Sequence, residues 1–198
     1  MSTAHALHRA SPVATVRPLR AGDAAALRAF VCGLPAAAKR QRFHGAINGC
    51  SDTLLARLMA VDGERQVAFV AVQANDDGER IVGEARYAVA RDGVRAEFAI
   101  AVAEAQQGHG AAQRLMRALL DHARAAGLSA LDGEVLDGNA RMQAFMQRQG
   151  FGIDALADTE PGVQRWTRRL DEEPAAEGAR PLQTLRTWWQ LAFGNPFA

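Results

Sequence analysis

The spacing of apolar residues divides this chain into two textures that meet near Gly63. Before that point apolar residues recur at helical spacing. Thr15-Val16-Arg17-Pro18-Leu19 predicts a short first strand. Asp23 stands where it would cap a helix carrying Ala25, Leu27, Phe30 and Val31. Pro35 opens a further helical turn through Arg42 and Phe43, and Ser51 or Asp52 caps a helix with Leu54, Leu55, Leu58 and Met59 on one side. After Gly63 the period shortens. Val67 to Val72 is a nearly unbroken apolar run, as expected of a strand covered on both faces. Asn75 to Gly78 is a turn, and Ile81–Val89 and Val94–Val102 are strands joined across Arg91-Asp92-Gly93.

The second half alternates helices and strands. A glycine-rich segment leads into a helix bearing Leu115, Met116, Leu119, Leu120 and Ala123, which Gly127 ends in a left-handed cap. Ala130–Leu136 is a strand, and Asn139–Gln149 is a helix closed by Gly150. Strands follow from Phe151 and over Val163–Leu170. One domain over residues 13–170 follows a loose leader. Residues 171–181 are acidic and rich in Pro, Ala and Gly, which predicts a linker. Residues 182–198 form an amphipathic tail with Trp188 and Trp189. A surface of this kind packs on the domain or on a second copy, which would make a homodimer.

Composition narrows the function. A hydrophobic fraction of 48% with 23% charged residues is that of a globular domain. The net charge of +1 gives no electrostatic footprint for nucleic acid. Lys39 is the only lysine, so a site needing several is excluded. Cys32 and Cys50 lack metal-ligand spacing, so no metal is expected, and a reduced, cytoplasmic setting fits. No signal peptide is evident, and no apolar run approaches the ~20 residues that span a bilayer.

The segment Gln107-Gly108-His109-Gly110-Ala111-Ala112 follows an apolar strand and opens a helix. N–H groups of a first helical turn lack internal acceptors, and the helix dipole favours an anion there. Small residues let a diphosphate reach that backbone. Taken alone, the same residues serve equally well as a tight turn. A dinucleotide fold would need an earlier strand and an acidic residue on the next strand end, whereas three strands and several helices precede this loop.

In this order of elements, Gln107, Gly110 and Ala112 match Q/R-x-x-G-x-G/A, and the chain resembles the GCN5-related N-acetyltransferases (GNAT) from Val16 to Leu170. Arg40-Gln41-Arg42-Phe43, Leu54–Leu58 and Gly133-Glu134-Val135-Leu136 are most similar to the acetyltransferase domain of bacterial protein lysine acetyltransferases. The resemblance implies an α/β (α+β) GNAT fold: a mixed, mostly antiparallel sheet of six to seven strands flanked by helices. It implies acetyl-CoA as acyl donor and an amine acceptor, a small molecule or a protein lysine. It further implies that the backbone of Ile100, Val102 and their neighbours holds the pantetheine arm, that residues 107–112 hold the phosphates, and that Asn139 contacts the coenzyme. Asn139 is also a plain helix cap, and His109 is either a phosphate contact or a solvated loop residue.

Acetyl transfer needs a base, because a lysine amine has a reference pKa near ~10.4. Glu97 is the candidate, a carboxylate in an apolar strand whose alternation groups it with Ala99 and Ala101. Partial burial would raise its pKa. A strand carboxylate paired with Arg86 or Arg95 is the competing reading, as is an ion pair for Glu134. Phe145 and Met146 stand where related enzymes place a tyrosine acid, so the thiolate is expected to leave without a side-chain donor. A Cys50–His44 nucleophile pair is disfavoured by its separation. A non-catalytic acyl-CoA-binding module is the alternative function.

Overall fold

The two sequence textures become two layers on one sheet. A computed structural model describes residues 14–43, 49–75 and 78–171. The leader, His44, the middle of the Asn75–Gly78 turn, nearly all of the linker, and the tryptophan tail lie outside the described residues. The strands are β1 (Thr15–Pro18), β2 (Gln66–Asn75), β3 (Gly78–Val89), β4 (Arg95–Val102), β5 (Ala130–Leu136), β6 (Gly152–Ile153) and β7 (Val163–Arg169). The helices are α1 (Ala24–Gly33), α2 (Ala36–Phe43), α3 (Asp52–Met59), α4 (Ala111–Ala125) and α5 (Ala140–Arg148). The sheet has seven strands in the order β1-β2-β3-β4-β5-β7-β6. Every pairing is antiparallel except β4 with β5. This is the mixed, mostly antiparallel sheet of six to seven strands that the resemblance implies.

One face packs on α4, where Leu115, Met116, Leu119 and Ala123 are fully buried against Val82, Tyr87, Phe98 and Ile100. Each such Leu or Met side chain contributes roughly 1.5–3 kcal/mol over an exposed one. The other face carries Leu27, Phe30, Leu54 and Leu58 of α1 and α3 against Ala68, Val70 and Val72. Because β2 and β3 are covered on both sides, their apolar runs are nearly continuous.

Local chemistry explains most element ends. Ser51, not Asp52, caps α3, its Oγ accepting from Leu54 N–H at 3.1 Å. Gly127 has φ 74° and Leu128 N–H returns to the Ala123 carbonyl at 3.0 Å, closing α4. Asp92 Oδ1 accepts from the Val94 and Arg95 N–H groups and shapes the β3–β4 connection. Asp23 departs from expectation. A 3-10 turn over Ala21–Asp23 precedes α1, and the Asp23 carboxylate makes no cap to that helix. It accepts instead from Arg20 N–H and from both Nη atoms of Arg17, which holds it below the usual carboxylate range.

Candidate functional site

The cleft exists because β4 and β5 stop pairing. They run together for Arg95↔Ala130, Ala96↔Leu131 and Glu97↔Asp132. Arg95 clamps this end, with Nε and Nη2 donating to the two Asp132 oxygens at 2.9 and 2.6 Å. Beyond it the Phe98 ring lies where a side chain at 133 would be, since a Cβ on Gly133 would fall 2.5 Å from the ring edge. The strands separate around that ring, and a cleft of about 370 Å³ opens between them. A volume of this size lies in the range of small-molecule sites. Ile100, Val102, Gly133 and Val135 line it, and β4 presents its backbone to it without a paired strand.

The glycine-rich loop closes one end. A 3-10 turn over Glu104–Gln106 separates β4 from the loop, and α4 starts at Ala111, near the end of the glycine-rich segment. Gly108 and Gly110 have φ of 84° and 77°, left-handed values that glycine reaches without strain. The first α4 hydrogen bond runs from Arg114 N–H to the Gly110 carbonyl at 3.1 Å. The N–H groups of Ala111, Ala112 and Gln113 therefore point out of the helix end, and those residues line the cleft. Gln107, Gly108 and Gly110 line it too. Gln107 is fixed through Nε2 to the Val102 carbonyl at 3.4 Å and through Oε1, which accepts from Arg141 Nη1. His109 is exposed and outside the cleft lining, with Nδ1 3.1 Å from the Gln107 carbonyl oxygen.

Asn139 lines the same cleft and caps α5, its Oδ1 accepting from Met142 N–H at 3.1 Å. The cap consumes the carbonyl oxygen and leaves the amide N–H groups as what Asn139 offers a ligand.

On the α1–α3 face, Glu97, Ala99 and Ala101 are half-buried while Ala96, Phe98 and Ile100 are buried, the alternation expected of this strand. Glu97 lines the cleft. Arg86 Nε donates to Glu84, and Arg95 to Asp132. Glu134 lines the opposite wall and accepts from Arg165 Nη2 at 2.8 Å, the ion pair anticipated for it.

Sequence reasoning missed a buried cluster. Arg42, Glu84 and Arg86 have side chains 4%, 4% and 11% exposed. Arg42 Nη2 donates to Glu84 Oε2 at 3.1 Å, Arg86 Nε to Glu84 Oε1, and Arg86 Nη2 to the Leu58 carbonyl at 3.0 Å. Burial alone would raise the Glu84 pKa, but Arg86 and Arg42 outweigh it and hold the carboxyl below its ordinary value. Burial lowers the Arg42 pKa, Glu84 opposes that, and Arg86 adds to it. The available signal was two opposite charges at i and i+2 in an otherwise apolar strand, which places both on one sheet face.

Tyr87, the only tyrosine, lies on the other face. Its hydroxyl is 2.7 Å from His122 Nδ1, and burial pushes its pKa up to about 12. Among the described residues that line the cleft none is Tyr, Cys, Ser, Thr or His.

Known proteins share this arrangement. The acetyltransferase (GNAT) family profile matches residues 40–151. The acetyltransferase PA5475 of Pseudomonas aeruginosa is 36% identical over 137 residues, covering 69% of this chain and 73% of that protein. The GNAT domain of S. lividans PAT superimposes with a TM-score of 0.72 at 26% identity, over 81% of this chain and 96% of that domain. The yncA protein of Salmonella typhimurium, solved with its cofactor acetyl-CoA, gives a TM-score of 0.64 at 22% identity, over 84% and 99% of the two chains.

Proposed function

This chain belongs to the acetyltransferase (GNAT) family and is an acyl-CoA-dependent N-acyltransferase, and from that premise we propose that it moves the acetyl group of acetyl-CoA directly to a primary amine, with Glu97 as general base. The observation that carries this reading is the continuity of one cleft. It runs from the outward N–H groups of α4, past the unpaired edge of β4, to Glu97. A diphosphate suits the helix end, and a pantetheine arm suits a strand edge with unused backbone groups. The acetyl-CoA carried by the yncA protein supports acetyl-CoA as the donor. The acceptor amine is a small molecule or a protein lysine. Cys32 and Cys50, both free, suit a cytoplasmic setting.

The chemistry balances with these residues. Glu97 takes a proton from the ammonium acceptor, directly or through water, and the neutral nitrogen attacks the thioester carbonyl. Backbone N–H groups of β4 face the developing oxyanion. The N–C bond forms, the nitrogen gives up its second proton to water, the C–S bond breaks, and the sulfur leaves as thiolate. Water protonates the thiolate, since none of the described cleft-lining residues is a suited acid.

Two measurements test this. Calorimetry should detect acetyl-CoA binding, and its absence overturns the donor assignment. Thiol release with amine acceptors should fall by about 10²–10⁴-fold in Glu97→Gln while acetyl-CoA affinity holds. Unchanged turnover removes Glu97 from the role.

A further inference from the structure

We propose that the acceptor of this enzyme carries a carboxylate beside its amine and that this carboxylate docks on Arg42. The proposal rests on the amine acetyltransferase reading above and names the substrate class for that same cleft.

The first observation is a charge imbalance. The Arg42–Glu84–Arg86 cluster buries two guanidinium groups against one carboxylate. One arginine suffices to neutralise Glu84, and Arg86 already bonds it while also reaching the Leu58 carbonyl. Arg42 is the surplus cation. Among the described residues Glu84 is the only acidic group acting on it, and Arg86 opposes it. A buried charge without a full partner costs several kcal/mol, so a fold that retains one gains from an incoming anion.

The second observation is where the surplus lies. Arg42 lines the cleft although its side chain is only 4% exposed. Its Nε has no hydrogen-bond partner among the described residues. The Phe43 ring covers the guanidinium from one side at 4.9 Å, which limits the approach of water. The site is thus an arginine with an unused donor, held in place by a carboxylate and a ring.

The third observation is register. Arg86 pairs with Ala99 and Glu84 with Ala101, on the face that carries Glu97. The cluster therefore sits two to four residues along β4 from the base, roughly 7–13 Å at ~3.3 Å per residue. The side chains of Ala99 and Ala101 leave the intervening space open. An amino acid matches this layout with both ends: its ammonium meets Glu97 and its carboxylate meets Arg42. A lysine side chain on a protein brings no anion and leaves Arg42 unmatched.

The test compares each candidate acid with its own neutral amide. Amino acids with one to five carbons between amine and carboxylate are assayed for thiol release against their carboxamides, beside a lysine peptide with blocked termini. At least one acid should exceed its carboxamide by about tenfold or more in kcat/KM, the scale of a charge-assisted hydrogen bond. Arg42→Gln, which leaves Glu84 and Arg86 as a balanced pair, should erase that preference while acetyl-CoA affinity, read by calorimetry on the same protein, persists. If that variant does not fold, the wild-type acid-to-amide ratio decides alone. Carboxamides or the blocked peptide turned over as well as the acids overturn the proposal, as does failure of every acid with protein that binds acetyl-CoA. Failure of the wild-type protein to bind acetyl-CoA overturns instead the donor assignment on which it rests.

Discussion

The two ends of the cleft are built on opposite principles. The end at residues 107–113 is made of backbone: left-handed glycines, alanines and the start of α4, contiguous in the chain. The end around Glu97 is made of side chains from α2, β3 and β4, and its charges meet only after folding. A backbone site constrains its own sequence, because only small residues keep it open. A side-chain site distributes its requirements over distant segments, each of which looks ordinary. The first end therefore announces its chemistry locally, and the second announces only that charges sit in apolar strands.

The side-chain end should therefore be the more fragile in stability and the backbone end the more fragile in ligand affinity. The largest effect is expected for Glu84→Gln. The neutral isostere leaves Arg42 and Arg86 buried side by side without a counter-ion, a loss of about 3–5 kcal/mol. For a chain of this length that corresponds to a fall in melting temperature of roughly 6–20 °C in calorimetry. A melting temperature within a degree or two of wild type would mean that water already screens the cluster, and the contrast between the two ends would lose its basis.

Gly110→Val should act the other way. Space is not the obstacle, since the nearest atom to an added Cβ is Arg114 Nη1 at 3.4 Å. The obstacle is φ 77°, where a residue with a Cβ is strained by about 1–2 kcal/mol. A backbone that relaxes that strain turns its N–H groups away from the proposed phosphate seat. Acetyl-CoA affinity should drop by about tenfold or more, with a smaller stability loss than in Glu84→Gln. A variant that loses stability and keeps its affinity would show that the loop is a turn and not a phosphate seat.

The same division explains what the sequence disclosed. The strand Ala130–Leu136, the cap at Gly127 and the Glu97-Ala99-Ala101 face follow from periodicity and glycine conformation, which are local. The strands β2 and β3 run past their apolar cores to Asn75 and Gly78, because backbone pairing continues where side-chain patterning ends. The 3-10 turn at Glu104–Gln106 left no periodic trace, and it moved the α4 start to Ala111. The Arg42–Glu84 pair joins residues 42 positions apart, a distance over which no local pattern extends.

Asn139 stands between the two principles, and it carries the smallest expected effect. Its Oδ1 caps α5, a structural task, while its amide N–H groups are left for the cleft proposed to receive the donor. The two tasks separate by substitution. Asn139→Ser keeps a capping oxygen and removes the amide donors, so stability should stay within a few tenths of a kcal/mol. Acetyl-CoA affinity should fall by severalfold, the scale of about 1 kcal/mol for one neutral hydrogen bond. Asn139→Ala removes both functions and should lose about 1 kcal/mol of stability as well, with the same drop in affinity. Calorimetric titration and thermal unfolding of the two variants read these outcomes independently. Equal affinity in wild type and both variants would assign Asn139 wholly to the helix end. Reduced affinity in the alanine variant alone would show that the cap, by fixing the start of α5, is what shapes the donor wall.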